Sequence, residues 1–267
     1  MKLLWCIICF LFTPSVLAQY ITFGIVPQQS AIELAKNWGP LLSYLSKKTG
    51  YDIQFRTAKD IPEFEHRLAR GEFDIAYMNP YHYVVFHDKA GYMPLVREGK
   101  KKLKGILVVK KDNPIQSIAE LDNSTIAFPS PAAFAATVVT GAELRMDNIA
   151  FTPQYVSSHD SVYLNVAKGF FVAGGGVMRT FNNTPEEVRN QLRVLWISKG
   201  YTPHAFAYRS VLSHTAVIKI QEALVNLVKT EQGRSQLGNL GMSPLVTAKD
   251  SDWDEIRALN INALNNL

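Results

Sequence analysis

Short apolar segments alternate with helix-like segments along the chain, and this alternation restricts the fold more than any other feature. After residue 19, apolar runs near 20–26, 51–55 and 73–78 are separated by two segments of helical pattern, and a second series starts at 124–128. Strands that alternate with helices of ordinary length are typical of parallel, doubly wound sheets. The pattern therefore predicts an α/β fold.

The ends of the first helix are marked by residues that favour helix termini. Ser30 and Glu33 form a capping box, and Gly50 is a C-terminal stop signal. Between them, Gly39 and Pro40 predict a break after which the helix restarts, because proline is tolerated in a first turn but not in a helix interior.

The stretch at residues 128–137, FPSPAAFAAT, is the centre of the functional hypothesis. The strand that precedes it ends at Pro129, and we predict an alanine-rich helix with Ser130 as its N-cap and Pro131 in its first position. A helix N-terminus at the carboxyl end of a strand is the usual place for an anionic ligand in α/β proteins. A plain strand–helix connection is the alternative.

Two polar breaks divide the chain into lobes. They lie near 111–114 and 198–204, so lobe 1 is expected to comprise 19–110 and 203–267, and lobe 2 to comprise 111–202. Two crossings let the chain enter a second lobe and return. A cleft between such lobes can bury a small ligand by hinge closure.

The N-terminus has the pattern of a secretory signal. Lys2 is followed by an apolar segment at 3–17, and small residues end a predicted signal peptide at 1–18. An uncleaved N-terminal anchor is the alternative. Cys6 and Cys9 both lie inside this segment, so the mature protein is expected to be periplasmic and free of cysteine.

The charge of the chain is mildly basic. Its 28 basic and 23 acidic residues give a net charge of +5, which becomes +4 when Lys2 is removed with the signal peptide. One basic run is interpreted as a solvated loop, and it consists of Lys100, Lys101, Lys102 and Lys104. No aromatic residues are interleaved with it, which argues against a nucleic-acid partner.

The sequence offers little support for catalysis, a cofactor or a metal. Ser158, His159 and Asp160 are adjacent, whereas a catalytic triad must converge from different elements. The H-E-x-x-H, G-x-S-x-G and P-loop patterns are absent, and the six histidines are scattered. We therefore expect a protein that is not an enzyme and has neither a cofactor nor a metal site.

Several short motifs occur in an order that resembles a known family. They lie at 24–30, at 71–76 and at 158–160. Gly50, between the first two motifs, and Gly169, after the third, also match. In this order the chain resembles the periplasmic phosphate/phosphite/phosphonate-binding proteins of ABC importers, a branch of the type II solute-binding fold. The resemblance implies a monomer with two lobes, each a mainly parallel sheet flanked by helices, that delivers a solute to a membrane permease. A sensor that hands its bound state to a receptor or kinase is the alternative.

The resemblance also implies a binding site. In the family an oxyanion is held by a helix N-terminus bearing hydroxyl groups, by a histidine and by tyrosines, and His159 and Tyr77 or Tyr81 match these positions. The expected ligand-binding residues lie around the cleft and are Pro27, Gln28, Tyr77, Asn79, Tyr81, Ser130, Ala132, Ala133, His159 and Gly175.

The predicted site departs from the family at two places. Pro131 lacks an N–H donor, and Ala132 and Ala133 replace hydroxyl-bearing residues. The strand at 170–174 lacks the acidic residue that many family members carry. Each lost charge-assisted hydrogen bond is worth about 1.5–3 kcal/mol, so the sequence predicts an apolar or zwitterionic solute in preference to a phosphonate.

Overall fold

Two sheets with flanking helices form the framework of residues 20–267, which the computed structural model describes. The predicted signal peptide at 1–18 lies outside the described residues. The chain begins with β1 (Tyr20–Ile25), α1 (Ala31–Thr49), β2 (Asp52–Arg56), α2 (Ile61–Ala69), β3 (Ile75–Met78), α3 (Pro80–Ala90) and β4 (Tyr92–Glu98).

The middle of the chain forms a second group of elements. They are β5 (Gly105–Lys110), a 3-10 turn (Ile118–Leu121), β6 (Ser124–Phe128), a π-helical segment (Phe134–Val139), α4 (Thr140–Met146), β7 (Phe151–Tyr155), α5 (His159–Ala167), β8 (Ala173–Val177), α6 (Met178–Asn182), α7 (Glu186–Arg189) and β9 (Leu192–Ile197).

The chain then returns to its first group of elements. These last elements are β10 (Ala205–Arg209), α8 (His214–Val225), a 3-10 turn (Asn226–Lys229), α9 (Glu231–Asn239), β11 (Leu245–Thr247), a second 3-10 turn (Asp250–Trp253) and α10 (Asp254–Arg257).

Both sheets are mixed, with three neighbouring parallel strands at one side of each. The strand order is β11-β4-β10-β3-β1-β2 in the first sheet and β7-β6-β8-β5-β9 in the second. Strands β2, β1 and β3 are parallel, as are β7, β6 and β8, whereas β10 runs antiparallel to both of its neighbours and β5 to both of its own. The parallel part of each sheet matches the predicted α/β fold, and β5 and β10 are the first strands after the two crossings.

The two crossings lie side by side. Strand β5 belongs to the second sheet, so the chain leaves the first lobe between β4 and β5, before the predicted boundary at 110. The return lies between β9 and β10. Backbone hydrogen bonds join the two crossing segments, from Leu103 N to Tyr201 O at 2.8 Å and from Tyr201 N to Leu103 O at 2.9 Å. The polar break after Lys110 is therefore a turn within the second lobe.

Helix α1 is continuous, and the predicted break at Pro40 is wrong. The Oγ of Ser30 accepts the N–H of Glu33 at 3.3 Å, and Gly50 ends the helix in a left-handed conformation at φ 78°. Between these ends, Trp38 and Leu41 are buried against the sheet, with the ring of Trp38 4.7 Å from that of Tyr77. Burial on both sides of Pro40 offsets the backbone hydrogen bond that the proline removes.

The alanine-rich stretch does not begin a helix at Ser130, as the sequence predicts. Residues 130–133 form a turn closed by a hydrogen bond from Ala133 N to Ser130 O at 3.3 Å. The helical backbone starts at Phe134, in the wider π-form, and Ser130 O also accepts the hydroxyl of Thr137 at 2.8 Å. The N-cap interaction expected of the Ser130 side chain is replaced by these contacts of its carbonyl oxygen.

The physical reason for the turn is packing between the lobes. Ala132, Ala133 and Phe134 of the second lobe belong to the same buried apolar cluster as the β1 and β3 side chains of the first lobe. Small side chains let the turn approach the first lobe closely. Within the described residues, no helix is long and apolar enough to span a membrane.

Candidate functional site

Polar contacts cross directly between the lobes where β1 and β3 end. The N–H of His159, at the start of α5, donates to the carbonyl oxygen of Gln28 at 3.1 Å. The side-chain amide of Asn79 donates to the carbonyl oxygen of Ala132 at 3.1 Å. The N–H of Ser30 donates to the carboxylate of Asp160 at 3.2 Å. We call this line of contacts the interlobe seam.

A small cavity lies in the seam and is lined by four of the predicted site residues. These are Gln28, Asn79, Ala133 and His159, together with His204 and apolar side chains. The space amounts to about 10 Å³, which is room for roughly one water molecule. The lobes are therefore closed on each other here, and we call this space the histidine cavity.

His159 is held in its neutral form by burial. Its side chain is 2% exposed, and burial lowers the pKa of the imidazole to about 3. Its Nδ1 lies 3.3 Å from the hydroxyl oxygen of Thr180. A neutral imidazole can donate one hydrogen bond and accept another but brings no positive charge to an oxyanion at neutral pH.

An ion pair that the sequence analysis missed joins the lobes next to Tyr77. Arg179 in α6 contacts the carboxylate of Glu98 at the end of β4 and the hydroxyl of Tyr77 in β3. Glu98 is 2% exposed, and its other carboxylate oxygen accepts the N–H of Ser243 at 2.8 Å. Tyr77 and Arg179 also line a neighbouring cavity of about 20 Å³.

A signal for Arg179 was present in the sequence. Ligands of open α/β sheets lie beyond the carboxyl ends of the strands, and Arg179 follows β8 by two residues. The Nε of Arg179 is buried and has no hydrogen-bond acceptor among residues 20–267. One donor of this guanidinium is therefore left for an acceptor between the lobes.

His204 is the second residue that the sequence analysis missed. Its ring stacks on Tyr77 at 4.9 Å between centroids, and its Nε2 lies 3.3 Å from the amide nitrogen of Gln28. Burial, together with the positive charge of Arg179, lowers the pKa of His204 well below its usual value. With Gln28 donating to Nε2, the proton lies on Nδ1, which is buried without a partner in the part of the chain that the structure describes.

The remaining predicted site residues fall into other positions. Tyr81 lies away from the seam, because its hydroxyl donates to Ile261 O at 3.1 Å and accepts the N–H of Leu264 at 3.0 Å in the C-terminal segment. Pro27 is buried between two cavity-lining residues. The Oγ of Ser130 is buried and has no hydrogen-bond partner among residues 20–267.

The glycines of β8 leave no space for a ligand. A Cβ atom at Gly175 would lie 2.3 Å from the carbonyl oxygen of Ala136 and 2.4 Å from the ring of Phe128. The absence of a side chain at Gly175 therefore allows the π-helical segment to pack closely against the sheet. Its neighbours on either side are covered in the same way by side chains of α5.

A larger cavity of about 420 Å³ opens beside the crossing segments. It shares Gln28 and His204 with the histidine cavity and is also lined by Lys101, Lys102 and Lys104. We call it the lysine cavity. The basic run is exposed, as expected of a solvated loop, but three of its four lysines face this cavity. Among residues 20–267, no group of three or more His, Cys, Asp or Glu side chains could hold a metal ion.

Known proteins of similar sequence include a phosphonates-binding protein and a phosphate-import protein. The chain is 24% identical to the phosphonates-binding periplasmic protein of Escherichia coli over an alignment of 268 positions, which covers 90% of this chain and 75% of that protein. It is 23% identical to the phosphate-import protein PhnD of Mycolicibacterium smegmatis, covering 75% of this chain and 70% of that protein.

Solved structures share the fold. A binding protein component of an ABC phosphonate transporter from Pseudomonas aeruginosa superposes with a TM-score of 0.83 at 21% identity, covering 91% of this chain and 86% of that chain. PhnD1 from Prochlorococcus marinus, in complex with methylphosphonate, superposes with a TM-score of 0.84 at 16% identity, covering 93% and 99% of the two chains. The two-lobed fold predicted from the sequence, that of type II periplasmic binding proteins, is thereby confirmed.

A family model gives the same answer over most of the chain. The model described as "ABC transporter, phosphonate, periplasmic substrate-binding protein" matches residues 23–253. Members of this family are substrate-binding transport proteins of the periplasm rather than enzymes. The chain therefore belongs to the phosphonate-type periplasmic substrate-binding proteins of ABC transporters.

Proposed function

We propose that the protein captures one small solute between its lobes and presents it to the permease of an ABC importer. The observation that carries this proposal is the arrangement of cavities between two lobes whose covalent connections within residues 20–267 are the two neighbouring crossing segments. Rotation about these segments exposes or encloses the cavities. Residues from both lobes line the enclosed space, so a solute bound there favours the closed form.

The native solute is proposed not to be a small phosphonate held on the turn after β6. Ala132 and Ala133 are buried in apolar packing, Pro131 has no N–H, and His159 is neutral. The histidine cavity has room for about one water molecule, whereas a phosphonate needs several donors and more space. These features support weak binding of phosphonates at that position.

A thermal-shift screen of the purified protein tests both statements. The panel contains phosphate, methylphosphonate, amino acids and organic phosphates, and X-ray scattering records closure for each solute that shifts the melting temperature. A solute at 100 times its dissociation constant adds about 2.7 kcal/mol of stability. Submicromolar methylphosphonate binding would contradict the proposed ligand preference, and the absence of any response across the panel would count against solute capture.

The protein that receives the bound solute, a permease or a receptor, distinguishes an import function from a sensing function. With the solute identified, membrane vesicles containing the cognate permease should take it up only when the binding protein is present. If uptake fails while the solute-bound form associates with a receptor or kinase, the sensor alternative replaces the importer.

A further inference from the structure

We infer that the two lobes rest closed on each other through contacts of the protein's own residues, and that a solute reaches the strand ends only when these contacts open. The proposed capture of a solute does not require this, because a binding protein can equally rest open and close on its solute. The inference therefore goes beyond solute capture and concerns the state of the protein before it. Three features of the interlobe seam carry it.

The first feature is the pairing of polar groups at the strand ends of the first lobe. The carbonyl oxygen of Gln28 accepts the N–H of His159 at 3.1 Å. The buried amide of Asn79 donates to the carbonyl oxygen of Ala132 at 3.1 Å. Ligands of open α/β sheets contact groups at such strand ends. The second lobe thus supplies the hydrogen-bond partners that a solute would otherwise supply, and closure leaves these groups satisfied.

The second feature is an apolar contact across the seam. Apolar side chains of both lobes form one buried cluster and line the histidine cavity together; they are Ala133 and Phe134 from the second lobe and Val26 and Ile61 from the first. All four are at most 4% exposed. Opening of the seam would bring this apolar surface into water, so its burial favours the closed form before any solute binds.

The third feature is the completeness of the fit. The seam leaves about 10 Å³ in the histidine cavity and about 20 Å³ in the neighbouring cavity beside Tyr77 and Arg179. Each has room for roughly one water molecule, whereas small-molecule sites run from about 300 to 1,000 Å³. Lobes that close on a solute hold it between them, but here the turn at 130–133 fills the gap. The seam is therefore complete by itself and has to open before a solute can reach the strand ends.

Two helix starts of the same sequence provide an internal measure of closure. Helices α5 and α8 both begin with a serine N-cap followed by a histidine, at Ser158-His159 and at Ser213-His214. The first N–H groups of a helix have no acceptor within the helix. The N–H of His159 has its acceptor across the seam, whereas His214 lies exposed on the first lobe. Closure therefore slows the exchange of the His159 amide hydrogen with solvent and leaves that of His214 unchanged.

The experiment measures amide hydrogen exchange by NMR without added solute. The protein is first unfolded in urea, dialysed and refolded, which removes any solute that was purified with it. We expect the amide of His159 to exchange at least about 100-fold more slowly than that of His214, as in a seam that is open for less than about 1% of the time.

Ala133→Glu tests whether the seam itself slows this exchange. Its carboxylate would be buried among apolar side chains in the closed form and hydrated in the open form. The variant should therefore bring the exchange of His159 to within about threefold of that of His214. Slowly exchanging amides in β6 show that the second lobe is folded. If they are lost, Asn79→Ser takes the place of this variant, because it removes a seam contact from the first lobe.

Ala119→Glu is the matched control for Ala133→Glu. It makes the same change of size and charge in the same lobe, at an exposed position. The exchange of the His159 amide should stay as slow in this variant as in the native protein.

The outcomes separate this inference from the proposed function. A His159 amide that exchanges within about threefold of His214 in the native protein overturns the closed resting state, and solute capture stands if a solute of the thermal-shift panel then slows the exchange. Slow exchange that persists in Ala133→Glu also overturns the inference, because the seam would not be its cause. Slow exchange in the native protein that is lost in Ala133→Glu supports the closed resting state, even if no solute of the panel binds and solute capture fails.

Discussion

Arg179 of the second lobe forms an ion pair with Glu98 of the first, and the carboxylate of Glu98 is almost completely buried by it. Both residues of the pair line the lysine cavity, and Arg179 also contacts the hydroxyl of Tyr77. It therefore contributes to holding the lobes together.

Arg179→Met should open the lobes. The substitution leaves Glu98 buried without a cation, which costs about 3 kcal/mol if the lobes stay closed, and separation of the lobes hydrates the carboxylate at lower cost. We expect a larger radius of gyration by X-ray scattering and a lower melting temperature.

Arg70→Met is the control for this change. Arg70 pairs with Glu63 and Glu72 on the surface, and its side chain is 55% exposed. Exposed pairs contribute up to about 1 kcal/mol, so this variant should keep the radius of gyration of the native protein. An Arg179→Met protein that is as closed and as stable as Arg70→Met would show that the pair does not hold the lobes.

Asn79 performs two tasks that a pair of variants can separate. Its Oδ1 accepts the N–H of His82 at 2.8 Å and caps α3, while its amide donates to Ala132 O across the seam. Asn79→Ser keeps a capping oxygen and loses the contact across the seam, whereas Asn79→Ala loses both. Urea unfolding should show Asn79→Ala to be less stable than Asn79→Ser by about 1 kcal/mol, with both variants more open than the native protein. Equal stability of the two variants would mean that the cap is dispensable.

Acidification should destabilise the closed protein through its buried histidines. The pKa of His159 falls from 6.5 when exposed to about 3 in the folded protein, so the unfolded chain binds more protons between these values. The contribution of neutral His159 to the free energy of unfolding is complete above about pH 6.5 and is lost as the pH falls toward 3. Between pH 7.5 and pH 5 the loss is about 2 kcal/mol. His204 acts in the same direction.

Urea unfolding at pH 7.5 and pH 5 measures this dependence. His159→Gln should reduce it, and His214→Gln, at an exposed helix end, should not. A native protein whose stability is the same at both pH values would contradict the burial of neutral histidines.

Gly175→Ala should destabilise the second lobe. The added methyl group would overlap the carbonyl oxygen of Ala136 and the ring of Phe128, and overpacking of this kind costs about 1–3 kcal/mol. Gly238→Ala is the matched control, because no atom lies within 4 Å of the new methyl group and the site is helical; it should gain up to about 1 kcal/mol. Thermal unfolding of the two variants should therefore shift in opposite directions, and a neutral Gly175→Ala would show that the space beside β8 is adaptable.

Local signals in the sequence predicted helix ends well. Ser30 caps α1 and Gly50 ends it, because each of these effects depends on residues within one turn. The alternation of strands and helices likewise predicted the α/β fold.

Contacts between distant segments could not be predicted in the same way. The helix through Pro40 is maintained by packing on β3 and β10, and the turn after Ser130 is set by apolar contact with the other lobe. The Arg179–Glu98 pair joins residues 81 positions apart, so no local pattern identifies Glu98 as the partner of Arg179.

Of the predicted site residues, Gln28, Asn79 and His159 meet at the seam because they follow strand ends. Tyr81 is directed elsewhere by its hydrogen bonds to the C-terminal segment.

The hydrogen bonds between Leu103 and Tyr201 have a mechanical consequence. Two segments tied together in this way form a flat ribbon, which bends easily across its face but resists twisting and sliding of one strand past the other. Opening of the protein is thereby reduced to a swing about a single axis. Lys101, Lys102 and Lys104 are carried by this ribbon, so they stay close to the axis of the swing while the two lobes move apart.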